Sequence, residues 1–526
     1  MRIEDWTPAG GGDSMRIDIT HGRISAIEPM QMPSVGRPDR TVDAAGRLLL
    51  PGFVDAHAHV VEAGVEMLRC DMTGCSDADE TLRAVAEFAG RNSSDWIIGR
   101  GWELAHLPAE VRSLNLIDSL TGAVPAYLNN ANGHCAWVNS AALRIAGIDR
   151  ATPDPAGGVV GRDVHGDPDG MLYESAMNLV ADLLPTLSAV EKRAGLRAAE
   201  SLLHSYGVTA WQEAIVGDYV PTTDVLDTLR EGVRSGEVRS RVNGALWWPR
   251  GVGEEALDEV LAQRALAGED PRFRCDAVKI MYDGTASSRT AATIAPYLDA
   301  KQPETFFTPA QLSRIVAAAD GAGLDVHIHA NGDRAVRDAV DAIAQLGPEM
   351  RRDRRHQIAH LNLVRDEEIR RMAALGVIAV VQPLWAHCSA KIVDHVLAGL
   401  AAGDAGRLYR FGSMAVAGVP LASSSDWPVS TPNPWPAMHT AVHRTAYGAE
   451  HEPLVADEGL GLFAALRAAT AGGARALRRE AEIGSIRAGA AADLVLLDRG
   501  WTELEEDIGG AVPDMTMIDG EVVFER

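Results

Sequence analysis

Along most of the chain, short apolar runs of extended character alternate with alanine-rich segments of helix length. This periodicity predicts βα units around a parallel sheet. The first run, Leu48-Leu49-Leu50, leads into Pro51-Gly52-Phe53-Val54-Asp55-Ala56-His57-Ala58-His59, and seven more follow at 207–211, 242–247, 277–282, 324–329, 356–360, 377–381 and 419–424. Eight such runs predict an α/β fold, a TIM-like (β/α)8 barrel, whose functional residues sit at the carboxyl ends of the strands. Polar residues stand there: His59, Asp283, His329, His360, Gln382 and Asp426 each lie at or just beyond the end of a run.

The two ends of the chain follow a different rhythm. Residues 15–19 and 23–27 alternate about a His21-Gly22 turn, and similar patterns return at 493–498 and 515–524. They predict a small discontinuous β domain built from 1–50 and 480–526, flanking a barrel over 51–479. A βα unit needs roughly 30 residues, so the long interval between His59 and the second run holds an insertion. Its expected extent is 63–187, and long inserts in compact domains are often functional. A substrate-covering subdomain is the expectation.

Composition narrows the partners more than the fold. Of 526 residues, 46% are hydrophobic and 23% charged, as in ordinary globular proteins, and the 51 glycines and 26 prolines suit many connections. A net charge of −24 disfavours nucleic acid and anionic membrane surfaces, which both need clustered Lys and Arg. No apolar run reaches the length of a membrane span and no basic, apolar leader opens the chain, so a cytoplasmic location is expected. Cys70, Cys75, Cys135, Cys275 and Cys388 contain no close CxxC pair, and reduced thiols are expected. The expected partner is a small-molecule substrate; the sequence leaves open a homo-oligomer.

The candidate chemistry begins with His57 and His59. Two residues apart on an extended chain, they point to one side and can hold one metal ion. Lys279, His329, His360 and Asp426 join them from later strand ends, giving a two-metal ligand set. Imidazoles donate lone pairs, a carboxylate supplies charge, and a lysine amine that has reacted with carbon dioxide becomes a carbamate able to bridge two cations. The ions would lie about 3.5–4 Å apart, sharing a hydroxide. Two divalent ions are expected, with zinc the first choice among the metals such ligands accept.

The chain here resembles the amidohydrolase superfamily, and within it the amidohydrolase 3, or YtcJ-like, metal-dependent hydrolases. The resemblance rests on the Pro51–His59 strand, Val278-Lys279-Ile280-Met281-Tyr282-Asp283-Gly284, His329-Ala330-Asn331-Gly332-Asp333-Arg334-Ala335 and Ser424-Ser425-Asp426-Trp427-Pro428-Val429. In the insert, residues Asn132 to Leu143 are similar to the group's substrate-domain motif, and residues 484–495 to its return into the β domain. The resemblance implies that His57 and His59 bind the first metal with Asp426, that carboxylated Lys279 bridges, and that His329 and His360 bind the second. Asp426 would also take the proton of the attacking water and pass it to the leaving nitrogen. Where the family has Ile-Glu-His, this chain has Ile358-Ala359-His360, losing a carboxylate beside a ligand.

Further candidates surround this set. His134 is expected to hydrogen-bond a substrate or oxyanion, and Arg289, Tyr282 and Asp283 to face the substrate. Trp102, Trp137, Trp248, Trp385 and Trp427 are candidates for an aromatic pocket, with Gln382 at a strand end beside it. His327 and His356 face away from the ligand side or start strands, so a structural role is expected. The expected reaction is metal-dependent hydrolysis of a carbon–nitrogen bond other than a peptide bond: an N-substituted formamide, amide, urea, carbamate or cyclic amide. The alternatives are a mononuclear deaminase of the same superfamily and a catalytically silent ligand-binding protein on this fold.

Overall fold

The computed structural model describes the whole chain except residues 33–37, 109–110, 132, 220–223, 269, 300–301, 348–352 and 402, and the side chain of Lys391. Asn132, the first residue of the insert motif, therefore lies outside the described residues. The chain divides into two compact units, Met1–Val60 with Glu200–Arg526, and Val61–Ala199.

The first unit contains an eight-stranded parallel sheet. Its strands are β1 (Phe53–Ala58), β2 (Val208–Val216), β3 (Arg241–Trp247), β4 (Phe273–Met281), β5 (Asp325–Ala330), β6 (Gln357–His360), β7 (Ile378–Val381) and β8 (Leu421–Ser423), paired in that order. The eight apolar runs of the sequence are these eight strands. They could be recognised because a parallel strand covered on both faces reads as a continuous apolar run; every residue of β1, β3, β5, β6 and β7 is buried. The sheet is a nearly closed barrel. Between β8 and β1, Asp426 N donates to His57 O at 2.8 Å and His59 N to Trp427 O at 2.8 Å. The backbone N–H and hydroxyl of Ser425, which both donate to the Asp55 carboxylate, add to this seam. The closure of the barrel thus fixes the backbones of three candidate ligands against one another.

Two four-stranded sheets complete the unit. One consists of Arg2–Trp6, Met15–Thr20, Arg23–Pro29 and Thr41–Asp43; the other of Leu49–Pro51, Leu494–Leu497, Pro513–Ile518 and Glu521–Glu525. Ile3, Ile17, Leu49, Leu494 and Met517 belong to a single buried cluster, so both chain ends contribute to one core. Gly52 passes the chain from the second sheet into β1, where a Cβ would stand 2.2 Å from Thr209 Oγ1; no larger residue fits without displacement.

The second unit, Val61–Ala199, compares with an expected insert of 63–187. It carries its own six-stranded sheet: Cys70–Asp71, Ile97–Trp102, Ala126–Asn130, Cys135–Val138, Pro168–Glu174 and Gly158–Arg162. Its core includes Trp102 and Trp137, both fully buried, and Trp102 Nε1 donates to Leu128 O at 2.8 Å. These two indoles, expected at the substrate, are packing residues of the unit's own interior. Trp248 is likewise fully buried in the first unit. No described helix is long and apolar enough to cross a membrane.

Candidate metal centre

Each ligand candidate of the barrel stands at the carboxyl end of a strand or just past it, as the alternation along β1 and β5 requires. His57 Nε2 lies 3.2 Å from Asp426 Oδ1 and 3.3 Å from Lys279 Nζ, and His59 Nε2 lies 3.4 Å from the same Asp426 oxygen. The rings of His57 and His360 have centroids 4.9 Å apart, those of His329 and His360 4.3 Å. All six side chains therefore converge. Among the described residues, ligand atoms of His57, His360 and Asp426 fall within 4.8 Å of one another.

Behind His57 stands His327, whose Nδ1 lies 2.7 Å from Gln357 Oε1, an acceptor because Gln357 Nε2 donates to Ala476 O at 2.8 Å, and 2.8 Å from Gln212 Nε2, a donor. His327 Nε2 lies 2.7 Å from His57 Nδ1. A metal ion on His57 Nε2 requires the His57 hydrogen on Nδ1, donated to His327 Nε2, with the Nε2 lone pair facing Lys279 and Asp426. A relay fixes His360: the Ser424 hydroxyl donates to Val381 O at 3.1 Å and accepts from Gln382 Nε2 at 2.8 Å, leaving Gln382 Oε1 to accept from His360 Nδ1 at 3.0 Å. His360 Nε2 keeps its lone pair. His329 Nε2 lies 3.1 Å from Gly284 O, an acceptor, and 2.8 Å from Asn331 Nδ2, a donor.

Electrostatics match this geometry. Burial, with the Lys279 charge, drives His57 and His327 well below the usual imidazole range; burial and neighbouring imidazoles do the same to His360. His329 falls to about 3 through burial and Lys279. The rings are therefore neutral, the state a metal requires. Burial opposes ionisation of Asp426, but His57, His59 and His360 outweigh it and hold the carboxyl well below its usual range. His57 Nε2 and His59 Nε2 both lie within 3.4 Å of Asp426 Oδ1, and the attraction and hydrogen bonds that keep the carboxyl ionised there are what a bound cation would supply in their place. The residues present fit a divalent metal.

Beside the ligands lies a cavity of about 190 Å³, lined by His329, His360 and Asp426 and walled in part by Trp385, Ile392, Val396, Tyr409 and Val429. The Trp385 ring is parallel to that of His360, with centroids 5.9 Å apart. Of the expected substrate residues, Trp385 lines this cavity, whereas Gln382 is spent on orienting His360. Tyr282 is fully buried and bonds Asp338 through its hydroxyl at 3.0 Å. Asp283, also fully buried, accepts from Ala292 N, Asn331 N and Gly332 N at 2.9 Å each, so it braces loops, with its Oδ1 3.8 Å from His329 Nε2. Arg289 pairs with Asp299 at 3.1 Å and is not part of the cavity lining. His134, in the second unit, bonds Glu174 at 3.0 Å. Ala359 packs in an apolar cluster with Val54, Ala210 and Ala474. His327, expected to be structural, stands against His57, and Gln357 and Gln212 beside it were not singled out in the sequence; two histidines on one strand were the available signal.

The profile of the amidohydrolase family matches residues 40–524. Over 519 residues the chain is 31% identical to the protein LONG AFTER FAR-RED 3 of Arabidopsis thaliana, covering 95% of this chain and 86% of that one. It is 27% identical over 536 residues to the N-substituted formamide deformylase of Arthrobacter pascens, covering 97% and 94%. Among solved structures, a metal-dependent hydrolase of Pyrococcus furiosus has the same fold, with a TM-score of 0.72 at 23% identity and coverage of 95% and 98%. With the family match running from residue 40 through the barrel and every ligand candidate, the chain belongs to the amidohydrolase family of metal-dependent hydrolases.

Proposed function

We propose that this protein hydrolyses a carbon–nitrogen bond other than a peptide bond, in an N-substituted formamide, amide, urea, carbamate or cyclic amide, with two divalent metal ions, zinc first, held by six side chains. His57, His59 and Asp426 would hold one ion, His329 and His360 the other, and a carbamate on Lys279 would bridge them. The observation that carries this reading is Lys279 itself. Its amine is buried at the base of the imidazole ring set, with no carboxylate in ion-pair contact among the described residues, and burial lowers its pKa to about 8. The neutral amine, the form that reacts with carbon dioxide, is thereby far more available near neutral pH than on an exposed lysine. The similarity to a formamide deformylase supports the choice of bond.

Bound metal ions would supply Lewis acidity toward the carbonyl oxygen and lower the pKa of the attacking water. Asp426, ionised and at the edge of the cavity, accepts the proton of that water and delivers it to the leaving nitrogen. Gln382 holds His360 in the tautomer that would face the ions, and His327 orients the His57 ring. A one-ion centre, as in a deaminase of the same superfamily, is the second reading; the compact grouping of His57, His360 and Asp426 favours it.

The test is a panel of N-formyl, N-acyl, ureido, carbamate and cyclic-amide compounds, with dipeptides and aminopurines as controls. Amine release from one of the first five classes, lost on chelation and restored by zinc, is expected. Cleavage of dipeptides alone, or ammonia release from aminopurines alone, would overturn the assignment.

A further inference from the structure

Outside the cavity, a cluster of one cation and three aromatic rings stands past the carboxyl ends of β2, β3 and β4, on the face of a (β/α)8 barrel that carries reacting groups. Arg250 follows β3, with its Cζ 4.3 Å from the ring centre of Phe306, 5.3 Å from that of Tyr219 and 5.9 Å from that of Trp247. Its Nη2 donates to the Tyr219 hydroxyl at 3.2 Å, and the Tyr219 and Trp247 rings meet edge to face with centroids 4.8 Å apart. Phe306 is fixed beside the end of β4, since its N–H donates to Tyr282 O at 2.9 Å. Three rings and a hydroxyl thus hold one guanidinium in place.

Register puts this cluster on the metal side of the sheet. Trp247 pairs with Lys279 across β3 and β4, and paired residues of neighbouring strands point to one face. Asn243, earlier on β3, bonds Gln212, which bonds His327 behind His57 inside the barrel, so alternation also turns Trp247 inward. After burial and Lys279, Arg250 is among the charges that lower His329. The cavity lining follows β4 to β8, whereas the cluster begins at β2, so Lys279 on β4 lies between the two.

What Arg250 lacks is a counter-charge. The chain has 73 acidic side chains against 49 Lys and Arg, yet no described carboxylate pairs with this exposed guanidinium. Its described hydrogen-bond partner, Tyr219, is a neutral acceptor for one of five N–H donors. Tyr219 and Phe306 are themselves 39% and 41% exposed, so the cluster is open to a ligand. A held guanidinium with free donors suits a carboxylate, because the rotamer entropy that weakens exposed ion pairs is already lost.

We propose that Arg250, held by Tyr219, Trp247 and Phe306, binds a carboxylate on the substrate, so that this hydrolase prefers anionic amides and ureas to uncharged ones of the same shape. This rests on the amide-hydrolysis reading and names the class of substrate within it.

The experiment uses the full-length, zinc-loaded protein and a series of ω-formamidoalkanoates of increasing chain length, each paired with the neutral formamide in which an isopropyl group replaces the carboxylate. Dissociation constants are measured by calorimetry, and kcat and KM by release of formate. At one chain length the native protein is expected to prefer the anion by about 10- to 100-fold, as for a charge-assisted hydrogen bond, and the preference should shrink in high salt. Arg250→Gln should abolish most of it through KM, with kcat and both constants of the neutral compound within about twofold of native. Arg250→Lys, which keeps the charge without the planar fork, should retain part of it. Equal loss on both members of a pair would mark a merely structural role and overturn the proposal. So would an undiminished preference in Arg250→Gln, or no preference for the anion at any chain length, binding of neither series included. If the anions bind in preference but no formamide, amide or urea is cleaved, it is the hydrolase reading that fails, and the ratio of dissociation constants still decides this one.

Discussion

A metal-binding imidazole works only in the tautomer that frees the correct nitrogen, and at His360, a proposed ligand, Gln382 behind the ring makes that choice. His327, in contact with Gln357 and Gln212, stands behind His57, the other proposed ligand. Replacing Gln382 by Leu, or His327 by Phe, should lower zinc affinity about 10- to 100-fold, read by competition with a chromogenic chelator; unchanged affinity would show the relays to be idle. Asp426→Asn should lower kcat by about 10²- to 10⁴-fold in stopped assays on the best substrate of the panel. The ligand candidates were legible because a histidine pair on one strand and single ligands at later strand ends leave a pattern in the sequence. Gln357 was not, because its orientation depends on Ala476 O, 119 residues away. Trp102 and Trp137 were misplaced for a related reason: an apolar ring suits a pocket wall and a core equally, and only packing separates them.

The strands were easier to read than the loops after them. Burial on both faces writes a strand into the sequence as an apolar run, whereas a loop is held by polar contacts with no period. Asp283 illustrates this, since its carboxylate gathers three backbone N–H groups from the segments that follow β4 and β5. Burial pushes its pKa up to about 7 despite those bonds. Asp283→Ala would orphan all three donors, at a cost of about 3 kcal/mol or more. A marked fall in melting temperature, with weaker metal binding through His329, is the expected outcome; a melting temperature within a degree of native would contradict this role. The insert was visible as excess length and through the motif ending at Leu143, and its strands were not. Its sheet mixes parallel and antiparallel pairs of short strands, and such strands carry little periodic signal.

Across the first unit, the chain ends are tied to the barrel through buried charge. Arg241, at the start of β3, pairs with Asp493 and with Asp519 of the C-terminal segment. Arg241→Ala would leave Asp493 buried and unpaired, costing about 3–5 kcal/mol, measurable as a lower denaturation midpoint. Acid sensitivity has a local source in the same unit. Burial, with Arg239, lowers His204 to about 4, against 6.5 in an unfolded chain. Between those values the unfolded state binds more protons, so stability falls as pH drops from 6.5 and the loss is complete below about 4. The difference corresponds to roughly 3 kcal/mol; His204→Gln should flatten that limb of the stability profile, and an unchanged limb would contradict the assignment. The most direct test of the two-metal centre is a crystal structure of the zinc- and bicarbonate-treated protein, with anomalous scattering recorded at the zinc edge. The account predicts two zinc peaks bridged by a carboxylated Lys279, one beside His57, His59 and Asp426 and the other beside His329 and His360. A single peak with a free Lys279 amine would contradict it.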